Sequence, residues 1–443
     1  MESGINVENQ EAVKVFHSVQ LDADLCVGCT TCIKFCPTKA IRVRNRKAHI
    51  FEDRCIDCGE CIRRCPKGAK KAVSDHLFVM DAFDIKVALP APSLYAQFGS
   101  RYTQSDIFNA LHRIGFDEVF DVAWGAVVAT SLTRGLLASN TLTPRISSAC
   151  PVVVRLIQQR FPSLLPNLIP LLPPSEIAAA EARARLEGVS ANIGIFFLSP
   201  CTAKVTSVRS PLGYAHSDID AVISIAEIFP ALKKALDAHS PLEDTTRCPT
   251  PPRRFPLMHN LEPGIGWARS DGEVEALHIE NAVSVDGISN VIDLLEAVEN
   301  GTVDSIDYIE ALACPGGCVG GPMAIENPHI ARATMRQKYQ NSAHSHETPE
   351  HQSRLGADES APKSDCHWNR AIAPNPVLVL DADLSKALAM AERIEKIRAM
   401  LPGIDCGACG APDCDAFAED VVRDYSALEE CQLLRQESSD KRK

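Results

Sequence analysis

The sequence predicts an α/β domain built on parallel strands, with a small cysteine-rich α+β module before it and a small helical, cysteine-rich module after it. Three observations predict this. Short apolar runs recur at 85–89, 193–198, 221–225 and 308–313, with the length and continuity of strands buried on both faces. Amphipathic stretches at 104–113, 175–186 and 285–298 fall between them, so strand and helix alternate. Sixteen of the eighteen cysteines fall into four groups, and three of these groups flank the α/β region.

Composition limits the function classes. The chain has 443 residues, 45% of them hydrophobic, enough for one large domain with small satellites. A formal net charge of −12 argues against nucleic acid as a partner. Residues 1–20 form a polar leader with Glu2, Glu8 and Glu11 and no basic flank before an apolar run, so no signal peptide is expected. No run reaches about 18 apolar residues, so neither a membrane span nor a membrane partner is expected. Clustered cysteines in a chain read as cytoplasmic fit metal ligation in a reducing compartment better than disulfides. The expected units are the leader 1–20, a first cysteine module 21–78, an α/β domain 82–330, a flexible linker 331–380 and a C-terminal unit 381–443. A Pro-, Thr- and Arg-rich stretch at 239–254 reads as a surface insertion. His344, His346 and His351 lie in the polar stretch 337–375 and read as solvated linker rather than metal ligands. Cys248 and Cys366 fall in these irregular stretches and are not expected to be ligands.

The first module is a repeat. Cys26, Cys29, Cys32 and Cys36-Pro37 are followed by Cys55, Cys58, Cys61 and Cys65-Pro66 in the same spacing. This is the pattern of two-cluster bacterial ferredoxins, in which the fourth cysteine of each run ligates the other cluster. It assigns Cys26, Cys29, Cys32 and Cys65 to one 4Fe-4S cluster, and Cys55, Cys58, Cys61 and Cys36 to a second. Zinc is the alternative, although structural zinc sites usually pair separated two-cysteine units. At the far end, Cys406, Cys409, Cys414 and Cys431 frame a helical stretch at 415–427 and resemble a small 4Fe-4S domain found in several redox proteins. Four cysteines there would also suit zinc.

A fourth group is scattered: Cys150, Cys201, Cys314 and Cys318. Singly, each could be a buried free thiol. Their contexts are Ser147-Ser148-Ala149-Cys150-Pro151, Ser199-Pro200-Cys201-Thr202-Ala203-Lys204, and Glu310 through Cys314-Pro315-Gly316-Gly317-Cys318 to Gly320-Gly321-Pro322. In this order they resemble the motifs of the FeFe hydrogenase catalytic domain, Thr-Ser-Cys-Cys-Pro, Met-Pro-Cys-x-x-Lys-x-x-Glu and Glu-x-Met-Ala-Cys-x-x-Gly-Cys-x-x-Gly-Gly-Gly. The resemblance covers 21–330 and implies a two-lobed catalytic domain. It implies that Cys150, Cys201, Cys314 and Cys318 hold an active-site 4Fe-4S cluster. Cys318 would bridge to a two-iron unit carrying CO, cyanide and a dithiolate. Anionic cyanide needs donors in a buried site. Lys204 is expected to supply a cation, Ser93 a hydroxyl and a backbone N–H, and Pro92 and Pro200 to stiffen the backbone beside the group.

Departures from the family pattern carry their own expectation. The thiol that precedes the first cluster cysteine and relays protons is here Ala149. The glutamate three residues beyond the lysine is here Ser207. The methionines of the second and third motifs are Ser199 and Leu312. Ligands are kept while the usual proton path is cut, which resembles the slow, sensory branch of the family. The expected function is slow interconversion of H₂ with protons and electrons, serving hydrogen or redox sensing. The expected partners are a redox protein such as a ferredoxin, hydrogenase maturation proteins and a separate signalling protein. A non-catalytic electron-transfer or cluster-assembly-like protein, without the two-iron unit, is the rival reading.

Overall fold

A computed structural model gives the fold and describes residues 16–139, 142–238, 255, 261–303, 305–344, 362–377 and 379–435. The N-terminal module carries β1 (Val19–Leu21), β2 (Ile41–Arg44), β3 (Lys47–Ile50) and β4 (Lys70–Ala72). β1 pairs antiparallel with β4, and β2 with β3. The sequence repeat becomes a structural one: short helices Thr31–Lys34 and Glu60–Arg64 hold Cys32 and Cys61 at equivalent places. The expected leader is shorter than 1–20. His17 and Ser18 are buried and β1 begins at Val19, because this strand closes the module against β4. Asp57 pins that edge to the next domain, pairing with His17 Nδ1 at 2.7 Å and accepting from Val19 N at 2.9 Å and Thr206 Oγ1 at 3.0 Å.

The α/β domain follows with β5 (Ile85–Pro90), β6 (Glu118–Val119), β7 (Arg145–Ile146), β8 (Ile193–Ser199), β9 (Ala221–Ser224), β10 (Ala282–Asp286) and β11 (Tyr308–Leu312). It holds two parallel sheets, ordered β6-β5-β8-β9 and β10-β11-β7. The two-lobed parallel architecture is therefore present, with the strands that lead to the motifs divided between two sheets. β5 and β8 are central neighbours in one sheet, whereas β11 is the middle strand of the other. The helix expected over 285–298 also starts later. Val283 and Val285 pair with Ile309 and Ala311, and only after Gly287 does the helix Ile288–Glu299 begin. β-branched residues beside an open strand edge pair before they coil.

Alternation along the strands splits the core. Val87 and Leu89 pack with Ile195, Trp124, Ala126 and Ile177 on one face of the larger sheet. Ala88, Phe196 and Leu198 pack with Ile107, Leu111, Ile228 and Leu232 on the other. The helix Val122–Ser139 is long and apolar enough to cross a membrane, but half of it is buried inside this fold, against the helix Pro174–Arg185. A third core, with Ile146, Val153, Leu156, Val291 and Ile309, serves the smaller sheet.

The stretch 331–380 is not the featureless linker expected. The helix Pro328–His344 occupies its start, with Ala331 and Met335 in the core. From 362 the chain crosses back over the α/β domain: Leu172 N donates to Cys366 O at 2.8 Å, Trp368 N to Pro170 O at 2.9 Å and Asn375 N to Gln158 O at 3.1 Å. Cys366 is buried there as a plain apolar thiol. Cys248, His346, His351 and the 239–254 insertion lie outside the described residues.

The C-terminal unit, with helices Leu384–Met400 and Cys414–Val422, docks on the N-terminal module. Arg42 Nε and Arg44 Nη2 both reach Asp420 Oδ2 at 2.7 Å, and Arg54 Nη2 reaches Glu419 Oε1 at 2.6 Å. Asp420, Glu419, Arg42 and Arg54 are all buried. Val43 N donates to Gly410 O at 2.8 Å. Gly410 is obligatory at this contact, since a Cβ would sit 1.9 Å from the Val43 carbonyl at φ +82°.

Candidate functional site

The duplicated module folds so that the fourth cysteine of each run joins the other run. One small cavity is lined by Cys26, Cys29, Cys32 and Cys65. A second is lined by Cys36, Cys55, Cys58 and Cys61. Burial pushes the Cys61 thiol up to about 12, so without a metal it keeps its proton, and metal binding must release it. In the C-terminal unit Cys409 lies in the field of Cys406 and Cys431, and Cys409, Cys414 and Cys431 share one apolar cluster. Three of the four predicted ligand sets are thus gathered within the two flanking modules.

The fourth set meets where the two sheets face each other. β5 ends in Pro90, and Pro92 and Ser93 open a buried turn of 3₁₀ helix, Pro92–Phe98. β8 runs into Pro200 and Cys201, which precedes the helix Thr202–Arg209. β7 leads through Ser147 to Cys150, and Pro151 begins the helix Pro151–Arg160, the position at which proline is preorganised for helix. β11 leads to Cys314 and Cys318. β5 and β8 are neighbours whose onward connections leave in opposite directions, toward β6 and toward β9. Crevices at such points are where open parallel sheets bind ligands.

These ends enclose a cavity of about 90 Å³ whose lining includes Cys150, Cys201, Cys314, Cys318, Lys204 and Ser93. Pro92, Pro200 and Ala149 line it as well. Every site residue expected from the scattered motifs is therefore brought to one place. Gly321 lets the last motif close on the second, since a Cβ there would lie 2.3 Å from the Pro200 carbonyl. Burial drives the Cys201 thiol up to about 12 and the Cys318 thiol well above its ordinary value, with neighbouring thiols adding to the shift. Four thiols lining one cavity are suited to share positive metal rather than to stand free. Ser93 Oγ is buried with no hydrogen-bond partner among the described residues, an orphan hydroxyl that an anionic group in the cavity would satisfy. Lys204 Nζ is held only at 3.3 Å by Ala149 O and by Ser175 Oγ. The donor set fits a thiolate-held iron cluster with an adjoining anionic group.

Three residues that the motifs did not single out bear on this cavity. Glu273 lines it, from the helix Gly272–Leu277, and accepts from Ser147 Oγ at 2.9 and 3.0 Å and from Tyr308 OH at 2.5 Å. Burial pushes its carboxyl up to about 7. Glu310, noted only as part of a motif, is buried behind it; burial and the Glu273 charge hold its carboxyl well above the usual range. Glu310 also feels Asp271, whose side chain is 45% exposed and pairs with Arg332 at 2.5 Å. Arg63, in the second cysteine run between Cys61 and Cys65, donates to Cys314 Sγ at 3.1 Å and Gly320 O at 2.9 Å. An arginine inside a ligand run was the one sequence signal for this bridge. Nothing in the spacing marked Glu273.

The family "Iron only hydrogenase large subunit, C-terminal domain" matches residues 84–253 and 258–322, more than half of the chain. The family "4Fe-4S dicluster domain" matches 18–66, and an Fe-S cluster family matches 401–433. Iron hydrogenase 1 of Clostridium pasteurianum is 26% identical over 288 residues, 54% of this chain and 49% of that protein, so the chain spans about half the length of that relative. The periplasmic [Fe] hydrogenase large subunit of Nitratidesulfovibrio vulgaris is 26% identical over 69% of this chain and 86% of its own length. The solved structure of [FeFe]-hydrogenase HydA1 from Chlamydomonas reinhardtii covers 65% of this chain and 94% of that one, with a TM-score of 0.43 at 18% identity. With the catalytic-domain family spanning both of the sheets whose ends enclose the cavity, this chain belongs to the FeFe hydrogenase family of iron–sulfur oxidoreductases.

Proposed function

We propose that this protein interconverts H₂ with protons and electrons at low rate and reports hydrogen or redox state to a separate protein. The observation that carries the reading is the cavity itself: four thiols, the orphan Ser93 hydroxyl and Lys204 line one space. Cys150, Cys201, Cys314 and Cys318 would hold a 4Fe-4S cluster, and Cys318 the adjoining two-iron unit, which when bound supplies the redox centre for hydrogen chemistry. Ser93 and Lys204 donate to its anionic ligands. Pro92 and Pro200 fix the backbone that carries these donors. The rival reading, an electron-transfer or assembly-like protein without the two-iron unit, leaves Ser93 Oγ buried with nothing to bind.

Protons need another carrier where Ala149 has no titratable group. Glu273 holds one at its carboxyl, presented to the cavity and hydrogen-bonded to Ser147 Oγ and Tyr308 OH. Its raised carboxyl gives and takes a proton near neutrality, the condition for efficient acid–base transfer. Glu310, buried behind it, feels both Glu273 and Asp271. The two ferredoxin sets and the C-terminal set exchange electrons with an outside redox partner. Infrared spectroscopy of the anaerobically matured protein, with H₂ evolution from a reduced dye, tests the reading. Bands of metal-bound CO and cyanide with slow evolution are expected; their absence after maturation with full iron–sulfur loading overturns it in favour of the rival.

A further inference from the structure

Lys204 has an incomplete setting. Its two acceptors are both 3.3 Å away, and among the described residues no carboxylate lies within ion-pair distance of Nζ. A cationic donor with long bonds to neutral oxygens is poorly fixed, because a buried charge is held best by an opposite charge or a strong acceptor. One turn on, Ser207 stands where the motif would put a glutamate.

A second cavity, of about 30 Å³, also reaches Lys204 but has none of the thiols in its lining. Lys204, Ser207, Glu176, Tyr214 and Trp368 all line it. Glu176 comes from a different element, the first turn of the helix Pro174–Arg185, beside the Ser175 that accepts from Lys204. Its oxygens take Ser217 Oγ at 2.8 and 2.9 Å, with Tyr214 OH and Asp218 N at 3.4 Å. Only 4% of Glu176 is exposed, and the Lys204 charge acts on it across the cavity, opposing the burial that lifts its carboxyl. The space admits two or three waters, at roughly 10–15 Å³ each, with polar groups on several sides.

We infer that Glu176 is the counter-ion and positioning residue of Lys204, acting through water in the shared cavity and supplying from another helix the carboxylate that Ser207 lacks. This rests on the reading of Lys204 as a donor into the thiol-lined cavity. A carboxylate near the lysine keeps it charged and holds its head toward that cavity. Glu176 touches no reacting atom.

Two measurements test it. The first uses the full chain before the two-iron unit is inserted, carrying ¹³C-labelled glutamate, with the Glu176 carboxyl signal identified by its loss in Glu176→Gln. Lys204→Met is expected to raise the midpoint of that signal, because an opposite charge has been removed. An unmoved midpoint overturns the pairing, whether or not the protein can be matured. The second uses the matured chain. Glu176→Gln is expected to shift the cyanide bands and lower two-iron occupancy by about tenfold, the loss of roughly one charge-assisted contact. Ser207→Glu in that background returns a carboxylate to the same cavity and is expected to restore both. Ser207 makes none of the Ser217 or Tyr214 bonds, so rescue separates positioning of Lys204 from mere support of the fold. Bands unchanged in Glu176→Gln, or not restored by Ser207→Glu, overturn the inference. A parent without such bands sinks the functional reading instead and leaves the first measurement to decide this one.

Discussion

At the scale of single residues, the cavity couples a kept ligand set to a changed proton path. Ala149→Cys is expected to raise the rate of H₂ evolution at matched two-iron occupancy. The gain should stay below the general-acid factor of about 10²–10⁴, since Glu273 already carries part of the traffic. No gain, measured with a reduced dye, would show that transfer is limited elsewhere. Glu273 gives a pH signature whose sign follows from its environment. Burial raises its carboxyl to about 7, above its ordinary value, so the native protein holds a proton there that the unfolded chain releases. Its contribution to stability is therefore full below the ordinary carboxyl range and is lost as pH rises toward 7. In catalysis, evolution should fall and H₂ oxidation should rise as pH passes through that value. Glu273→Gln is expected to slow both directions and to remove this limb from the pH–rate profile; a profile that keeps its limb would assign the proton to another group. The clustered cysteines were legible from their spacing, and Cys150, Cys201, Cys314, Cys318, Ser93 and Lys204 from the resemblance of their motifs to the family. Glu273 and Glu176 were not, because each reaches its cavity from a helix with no motif of its own.

At the scale of elements, buried strands and the helix Gln104–Arg113 could be read from apolar periodicity, and the structure adds the Thr103 cap. The errors fell where tertiary contact overrode local pattern. β10 formed because the β11 edge was open to Val283 and Val285. The crossing segment from 362 escaped notice because backbone bonds and isolated side chains, Cys366 and Trp368, hold it in place without any period. The C-terminal unit shows the same limit: its cysteine spacing was plain, but its docking was not, since nothing local pairs Arg42, Arg44 and Arg54 with the distant Glu419 and Asp420. Asp420 receives two of those arginines and is buried. Removing it leaves guanidinium charge without a partner, which typically costs about 3–5 kcal/mol. Asp420→Ala is expected to release the unit from the N-terminal module, seen as faster proteolytic cleavage between 377 and 401 with its cluster still bound. Cleavage at the parent rate would mean that the remaining contacts, among them the Glu419 pair, the Lys39–Asp413 pair and the Gly410 contact, suffice.

For the molecule as a whole, the four ligand sets set a countable load. Four 4Fe-4S clusters and one two-iron unit make about 18 iron atoms per chain, and anaerobic iron analysis settling near eight would leave only the ferredoxin module filled. Within this assembly Arg63 stands between two sets, with one guanidinium nitrogen on the Cys58 carbonyl and the other on Cys314 Sγ. Electrochemically, that makes it a shared positive electrode. Cluster potentials follow local charge and hydrogen bonds to sulfur, so its field favours the reduced form on both sides at once. Arg63→Met should lower the midpoint potentials of the second ferredoxin cluster and the active-site cluster together, by something on the order of tens of millivolts. The first ferredoxin set and the C-terminal set lie beyond its hydrogen bonds and should keep theirs. A titration followed by EPR in which only one potential moves would mean that the two centres are tuned separately. If both move, the voltage of hydrogen chemistry and that of its nearest wire are set by one side chain and cannot drift apart.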